Sequence, residues 1–361
     1  MTTRHAERAS RLRSLMAPVS GVALLAAAVA AVAAVAPFAE RPAQADSATA
    51  AVPSWGGFEP PKGWLPPPLS PAGVKLQTKQ LSPGVYALLS NRPPVDNSGF
   101  VVGERGVLVV DAHINGEMAR QIQAAVRAVT DKPILYLVNT NYHGDHTFGN
   151  HAFPASTTVV AHRDTAAAMA DFDGEKRNLL PAVNGDASVF AGVELRLPDL
   201  TFAKTLTLDL GGREVELHHF GHGNTPGDTV VYVPEAKVAW TGNLVLGAAS
   251  IPWAIEGGAQ DYLQTVTRLA ATLDIETIVP GHIMMASGDD LHTYIRYLSE
   301  HIAAVRQAVA DGRSLEETLA SLPLAEAYLP PADSPLAAAR PVMQGFHLWN
   351  VKKTYLELSG Q

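Results

Sequence analysis

The order of apolar and polar positions after residue 84 predicts a first block of short strands and helices. The segment 116–129 has helical periodicity, because Met118, Ile122 and Val126 fall on one helical face. A short helix near 165–170 and a loop at 172–197 follow. Short apolar runs predict the strands of this block at 85–90, 98–102, 107–111, 134–138 and 158–161.

A second block of strands and helices occupies the rest of the chain. Apolar runs predict its strands at 206–210, 215–219, 229–233, 238–241 and 277–279. Helical periodicity predicts helices at 261–273 and 290–310, with weaker signals at 315–321 and 344–358. Two blocks of strands, each followed by helices, predict an α/β (α+β) fold with helices packed outside a two-sheet core.

The first 45 residues have the pattern of a secretory signal peptide. Arg4, Arg8 and two further arginines precede 24 uncharged residues at 16–39, and Ala43-Gln44-Ala45 forms a cleavage signal. We therefore expect removal after Ala45 and a secreted or periplasmic, cell-envelope location. The alternative is an uncleaved N-terminal membrane anchor, because 24 apolar residues are long enough to cross a bilayer.

Composition narrows the remaining function classes. The segment 46–81 is rich in Pro and Ala, and we interpret it as an arm or linker before the domain. The chain has no cysteine, which excludes disulfides and thiolate metal ligands. Removing residues 1–45 would change the formal net charge from −8 to −11, because five arginines and two glutamates leave. An acidic surface argues against nucleic acid or an anionic membrane as the partner and leaves a small-molecule substrate.

The strongest chemical motif is a polar run that follows the predicted strand at 134–138. It reads Asn-Thr-Asn-Tyr-His-Gly-Asp-His-Thr-Phe-Gly-Asn at 139–150 and places His143, Asp145 and His146 within four residues. Imidazole and carboxylate together are what a borderline cation such as zinc prefers. The alternative is a helix N-terminus with an aspartate cap and two exposed histidines.

Three later motifs make the metal interpretation the stronger one. They are Gly-His-Gly-Asn-Thr-Pro-Gly-Asp at 221–228, Thr-Gly-Asn at 241–243 and Pro-Gly-His at 280–282. With the first motif, this order resembles the metallo-β-lactamase superfamily over about 84–287. That family has His-x-His-x-Asp-His, His-Thr-x-Gly-Asp, Thr-Gly-Asp and Pro-Gly-His in the same order. The resemblance implies a four-layer αββα sandwich with its metal site on loops at one edge of the sheets.

Three positions depart from the family pattern. Asn141 and Asn224 stand where the family has histidines, and Asn243 stands where it has a bridging aspartate. The resemblance then implies that one of the two family metal sites keeps only His143. The other site keeps Asp145, His146 and His282, three protein ligands with an open position. We therefore expect one zinc ion rather than two, with another divalent metal as the alternative.

The resemblance also implies roles for single residues. His143 would be the general base, and Asp145 would hold both water and metal. Asn224 and Asn243 would donate hydrogen bonds to a substrate oxyanion. Asp111 and Asp228 would hold loops or orient the histidines.

Two residues remain open at this stage. His222 is an alternative metal ligand, because it lies two residues before Asn224 and would share its face of an extended strand. Trp253 would line the substrate site or pack in the core.

Together these observations favour an exported metal-dependent hydrolase of a small ester, lactone, amide or phosphoester. One alternative is a binding protein of the same fold, catalytically weak or inactive; a second is a β-lactam hydrolase. The expected organisation is a signal peptide at 1–45, an arm at 46–81, the metallo-β-lactamase-like domain at 82–288, and C-terminal helices at 289–361 packed on the same domain without a part in the site.

Overall fold

The structure is a computed structural model that describes residues 58–334 and 336–360. The expected signal peptide and the first part of the arm lie outside the described residues. Within the described part of the chain, no helix combines the length and apolar character needed to cross a membrane.

Seven strands form the first sheet, in the spatial order in which they follow one another along the chain. The first four pair antiparallel, and the fourth to the seventh pair parallel. The strands are β1 (Leu76–Ser82), β2 (Val85–Ser90), β3 (Ser98–Val102), β4 (Val107–Val110), β5 (Ile134–Val138), β6 (Thr158–His162) and β7 (Leu200–Phe202).

Five strands form the second sheet, in the order β12-β11-β10-β9-β8. Its neighbouring strands pair antiparallel, except for β11 and β12, which run parallel. The strands are β8 (Thr205–Asp209), β9 (Glu214–His218), β10 (Val230–Val233), β11 (Val238–Gly242) and β12 (Thr277–Pro280).

Helices lie outside the two sheets and in the connections between strands. They are α1 (Gly116–Val129), α2 (Gly144–Thr147), α3 (Arg163–Ala168), α4 (Phe172–Leu179), α5 (Ala259–Thr272), α6 (Asp290–Ala310), α7 (Leu315–Ser321) and α8 (Arg340–Ser359). On β4, Leu108 and Val110 face the core between the sheets, whereas Val107 and Val109 pack with residues of α1. This alternation of faces follows from the two-residue repeat of a strand. The expected α/β fold with two sheets and outer helices is confirmed.

Three elements lie where the sequence pattern indicated none. Strand β1 lies inside the segment interpreted as an arm and pairs with β2 along the sheet edge. Its residues Thr78, Lys79 and Gln80 are exposed, so it lacks the apolar alternation of a half-buried strand. Helix α4 lies inside the expected loop, and the Asp171 side chain caps it by accepting a hydrogen bond from the Gly174 amide. The third element, β7, is three residues long.

The C-terminal helices share a core with the second sheet. Trp349 of α8 is fully buried in the same apolar cluster as Val230 of β10 and Ile278 of β12. The arm joins this cluster through Trp64, whose ring lies 5.8 Å from that of Trp349. The region before the domain and the region after it therefore pack against each other beside the sandwich.

Candidate functional site

The carboxyl ends of four strands meet at one edge of the two sheets. Asp111 follows β4, and the motif at 139–150 follows β5; these strands are parallel neighbours in the first sheet. Asn243 follows β11 and His282 lies two residues after β12, and these strands are parallel neighbours in the second sheet. Parallel strands that end together bring their following loops together, which gathers residues from distant parts of the sequence into one site.

Four buried residues at this edge form a group that could hold a metal ion. Asp96, Asp145, His146 and His282 each offer one ligand atom, and these atoms all lie within 4.8 Å of one another. Two imidazoles and two carboxylates are a common ligand set for zinc and other borderline divalent cations.

His146 is oriented by a carboxylate on the side away from the group. Its Nδ1 lies 2.9 Å from Asp111 Oδ2, and Asp111 in turn accepts hydrogen bonds from the Thr140 amide and hydroxyl. A carboxylate behind a histidine fixes the ring and its tautomer and raises its basicity as a ligand. Burial opposes protonation of His146, but Asp111 and Asp145 outweigh burial and raise its pKa to about 10.

His282 is oriented by a backbone carbonyl. Its Nδ1 donates to the Pro94 carbonyl oxygen across 2.7 Å, which leaves Nε2 for the group. That Nε2 lies 3.8 Å from Asp145 Oδ2. Burial lowers the pKa of His282 to about 4, so its ring is neutral near pH 7, the form that binds metals.

Asp96 and Asp145 form a buried pair of carboxylates. Burial, and next the charge of Asp145, raise the pKa of Asp96 well above its usual value. Within the described residues, neither side-chain oxygen of Asp96 accepts a hydrogen bond of good geometry, although His282 Nδ1 lies 3.2 Å from Oδ1. Two buried carboxylates with ligand atoms within 4.8 Å of each other repel when both are ionised, and a divalent cation between them would remove that cost.

The loop that carries Asp96 is tied to the loop that carries His282. The Asn97 amide donates to the Gly281 carbonyl across 2.7 Å, and Asn97 Nδ2 donates to the carbonyls of Pro280 and Ile283. Behind Asp96, His113 Nε2 lies 3.0 Å from the Asp96 carbonyl oxygen. These bonds place the Asp96 side chain in the group although it lies 43 residues before the start of the polar motif at 139–150.

His143 and Asn243 lie beside the group and contact each other. Asn243 Oδ1 is 3.0 Å from His146 Nε2, and Asn243 Nδ2 is 3.1 Å from His143 Nδ1. The orientation of the amide sets the His143 tautomer. With Nδ2 toward the ring, His143 Nδ1 accepts and Nε2 carries the proton; with Oδ1 toward the ring, Nε2 has the lone pair that a general base needs.

The comparisons with known proteins agree with this geometry. A family model described as the metallo-beta-lactamase superfamily matches residues 92–282, which is more than half of the chain. The chain belongs to the metallo-beta-lactamase superfamily. At the coarse level this makes it a member of a group of metallo-hydrolases.

Two similar proteins share less than a quarter of their residues with this chain over the aligned regions. The linear primary-alkylsulfatase of Pseudomonas sp. (strain ATCC 19151) is 24% identical over 180 residues, 41% of this chain and 33% of that protein. The chain thus matches about a third of the length of this curated relative. The structure of a metallo-beta-lactamase from Pontibacter korlensis aligns with a TM-score of 0.51 at 20% identity, covering 62% of this chain and 99% of that one. At this identity the likeness shows the fold alone.

Asp96 was missed by the comparison of motifs with the superfamily pattern. The aspartate of the third superfamily motif is Asn243 here, and Asp96 brings a carboxylate to the same group from the loop between β2 and β3. In the sequence Asp96 follows Pro93-Pro94-Val95 with no histidine nearby. Only the folded loop, held by Asn97, places it there, so no sequence signal distinguished it.

The other two substituted positions hold the loops of the site. Asn141 Oδ1 accepts a hydrogen bond from the His143 amide, which shapes the turn before α2. Asn224 Nδ2 donates to the Trp253 carbonyl oxygen across 2.7 Å, so this donor is directed at backbone rather than at a substrate oxyanion. Asp228 holds the same loop by accepting from the amides of Asn224 and Thr225.

His222, the alternative ligand, lies outside the group. Its side chain is exposed, whereas the four residues of the group are buried. Its carbonyl oxygen accepts a hydrogen bond from the Thr265 hydroxyl. The geometry therefore gives His222 no contact with the candidate metal site.

A cavity of about 370 Å³ opens onto the group. His143, Asp145, Asn243 and His282 line one end of it, and Trp253 lines its wall. The Trp253 ring also stacks on Phe346 of α8 with centroids 4.3 Å apart, so this tryptophan both packs in the core and borders the cavity. Val342 and Met343 of α8 line the cavity as well, so the C-terminal region, expected to have no part in the site, forms one of its walls.

Proposed function

We propose that the protein is a hydrolase that uses one divalent metal ion, zinc being the first candidate, held by Asp96, Asp145, His146 and His282. The observation that carries the proposal is the buried group of four ligand atoms at the end of a cavity. The donor set fits such an ion, because the two carboxylates balance its charge and the two imidazoles are the nitrogen ligands it favours. When bound, the ion would supply Lewis-acid chemistry to a substrate carbonyl and to water.

Residues of the chain support this chemistry in two ways: some orient the metal ligands, and others supply and position a general base. Asp111 and the Pro94 carbonyl orient the two ligand histidines, so their metal-binding nitrogens are in place before the ion arrives. His143 borders the cavity beside the group and is the general base, accepting the proton of an attacking water at Nε2. Asn243 contacts His143 through its side-chain amide, with Nδ2 at 3.1 Å from Nδ1; a half-turn of this amide would place its oxygen there and select the tautomer with the lone pair on Nε2.

The two alternative functions differ in what they require. An inactive binding protein would keep the cavity but neither metal nor turnover. A β-lactam hydrolase would need a group that recognises the carboxylate of a β-lactam, and the described residues lining the cavity include neither lysine nor arginine. The lining therefore gives no support to a β-lactam as the substrate.

Metal removal tests the proposal directly. The purified protein is expected to contain one equivalent of metal, to hydrolyse p-nitrophenyl acetate, and to lose both metal and turnover on dialysis against a chelator. Zinc should restore turnover, and Asp145→Asn should lower kcat by at least about 100-fold, the order of magnitude of a general acid–base or ligand contribution.

The control for this experiment is Asp173→Asn, which makes the same change on the exposed surface of α4 and should leave turnover unchanged. Metal-free protein without activity on esters, phosphodiesters or nitrocefin would point to the binding-protein alternative. Activity confined to nitrocefin would point to the β-lactam hydrolase.

We further propose that the protein is exported and begins at Asp46 after cleavage. The support is the basic, apolar and Ala-x-Ala pattern of residues 1–45. N-terminal sequencing of protein recovered from the cell envelope or the medium should read Asp46 first. Recovery in the membrane fraction with residues 16–39 intact would instead mean a membrane anchor.

A further inference from the structure

The cavity beside the candidate metal site is polar at one end only. His143, Asp145, Asn243 and His282 form that end. Of the remaining lining residues, only Ser250 and Trp253 have a polar atom in the side chain, and the Ser250 hydroxyl is already bonded to the Gly247 carbonyl and the Tyr294 hydroxyl. The hydrogen-bonding side chains of the lining are therefore concentrated where the chemistry would take place.

Apolar side chains from several separate regions form the rest of the cavity. Leu69 comes from the arm, Leu179 from α4, Leu246 and Trp253 from the loop after β11, and Phe346 from α8. Each of these regions is fixed by its own core packing, because Leu69 and Leu179 share one buried cluster while Leu246, Trp253 and Phe346 share another. The apolar space is thus held open by folded structure, a feature typical of ligand pockets.

No charged group could anchor an anionic tail within this space. The described residues that line it include no lysine, arginine or glutamate, and Asp145 at the polar end is their one carboxylate. At the polar end Asp96 and Asp145 would balance the charge of a divalent ion, so an anionic head would gain no net attraction there, and an anionic tail would meet no cation along the wall. A substrate with an uncharged polar head and an apolar chain matches both ends.

We propose that the substrate is an uncharged ester whose acyl part is an unbranched aliphatic chain, with the ester group beside His143 and the chain along the apolar wall. The inference rests on the proposed hydrolase function and specifies its substrate class. Water adds to the acyl carbon, and the ester C–O bond breaks. One proton of the water goes to the departing alcohol oxygen, and the hydroxyl stays on the acyl carbon of the acid product.

Chain length is the variable that tests the substrate class. For p-nitrophenyl esters from C2 to C10, kcat/KM should rise about fourfold per methylene until the cavity is filled, as expected for burial of apolar surface. Independently of turnover, methyl esters of C4 to C10 should displace the apolar fluorophore N-phenyl-1-naphthylamine from the chelator-treated, metal-free parent protein with the same trend in Kd. Sodium alkyl sulfates of equal chain length should bind at least tenfold more weakly than the methyl esters.

Filling the cavity should abolish the trend. Ala339→Phe places a ring at a lining position in the turn before α8, and Val342→Phe places one at a lining position of α8. Each should weaken binding of the C10 ester at least tenfold with little effect on binding of the C4 ester. Ala337→Phe is the matched control, because Ala337 lies in the same turn and does not line the cavity. Two variants are used so that loss of folding in one, seen by circular dichroism, leaves the other as the test.

The outcomes separate this inference from the proposed function. Metal-dependent hydrolysis with no dependence on chain length would overturn the inference and leave the hydrolase intact. Chain-length-dependent binding without hydrolysis of any ester would overturn the hydrolase and with it the assignment as a substrate. Tighter binding of the alkyl sulfates than of the methyl esters would replace the uncharged head with an anionic one.

Discussion

Replacing Asp96 with asparagine is expected to weaken metal binding by about 100-fold or more. Loss of an outer-shell partner of a metal ligand already costs 10–100-fold, and Asp96 would be a direct ligand. The substitution keeps the shape of the side chain but removes one of two negative charges in the buried group. It also relieves the repulsion between Asp96 and Asp145, so the metal-free protein should not be destabilised. Competition against a chromogenic chelator gives the affinity, and elemental analysis gives the stoichiometry.

Asp228→Asn is the matched control for this experiment. Asp228 is also a buried aspartate, but it holds the loop at 224–228 and lies outside the group. It should retain the parent metal affinity, with thermal unfolding confirming that the variant folds. If Asp96→Asn bound metal as tightly as the parent while Asp145→Asn did not, the ion would rest on Asp145, His146 and His282 alone.

The central strands could be predicted from sequence because their apolar residues alternate or run continuously. Strands β4 and β5 are short apolar runs bounded by polar residues, and both lie within a residue of their expected ends. Strand β1 could not be predicted, because an exposed edge strand pairs through its backbone and has no need of an apolar pattern. Helix α4 is stabilised by a local aspartate cap, in a segment whose apolar residues are too few for a clear repeat.

The residues of the candidate site also differ in whether a local sequence pattern indicates them. His143, Asp145 and His146 are adjacent in sequence, so the motif alone indicated where they lie relative to one another. Asp96 enters through the pairing of two loops, which is a tertiary contact without a local signal.

The cavity wall from α8 is a tertiary feature of the same kind. Its residues have the apolar character of any packed helix, and only the fold shows that Val342 faces a space rather than another side chain. The sequence therefore indicated part of the candidate site, whereas the contribution of Asp96 and the shape of the cavity required the structure.

Moving the carboxylate from position 96 to position 243 is expected to restore most of the lost metal affinity. In the double variant Asp96→Asn, Asn243→Asp, the group again has two carboxylates and two imidazoles. Asn243 Oδ1 already lies 3.0 Å from His146 Nε2, so an aspartate there has an oxygen at the edge of the same group. We expect the double variant to bind metal within about tenfold of the parent, a strong departure from additivity of the kind that residues sharing one site produce.

The control for this rescue is Asn224→Asp in the Asp96→Asn background. It also adds a buried carboxylate, but at a side chain that contacts the Trp253 carbonyl and lies outside the group. It should restore no metal affinity, because the new charge cannot reach the ion. Equal failure of both second substitutions would mean that position 243 does not face the metal. Rescue at 243 alone would mean that Asp96 supplies, from a different loop, the carboxylate that the third superfamily motif lacks in this chain. The aspartate introduced at position 243 would also accept a hydrogen bond from His143 Nδ1, which leaves the lone pair on Nε2. For this reason turnover should return together with the metal.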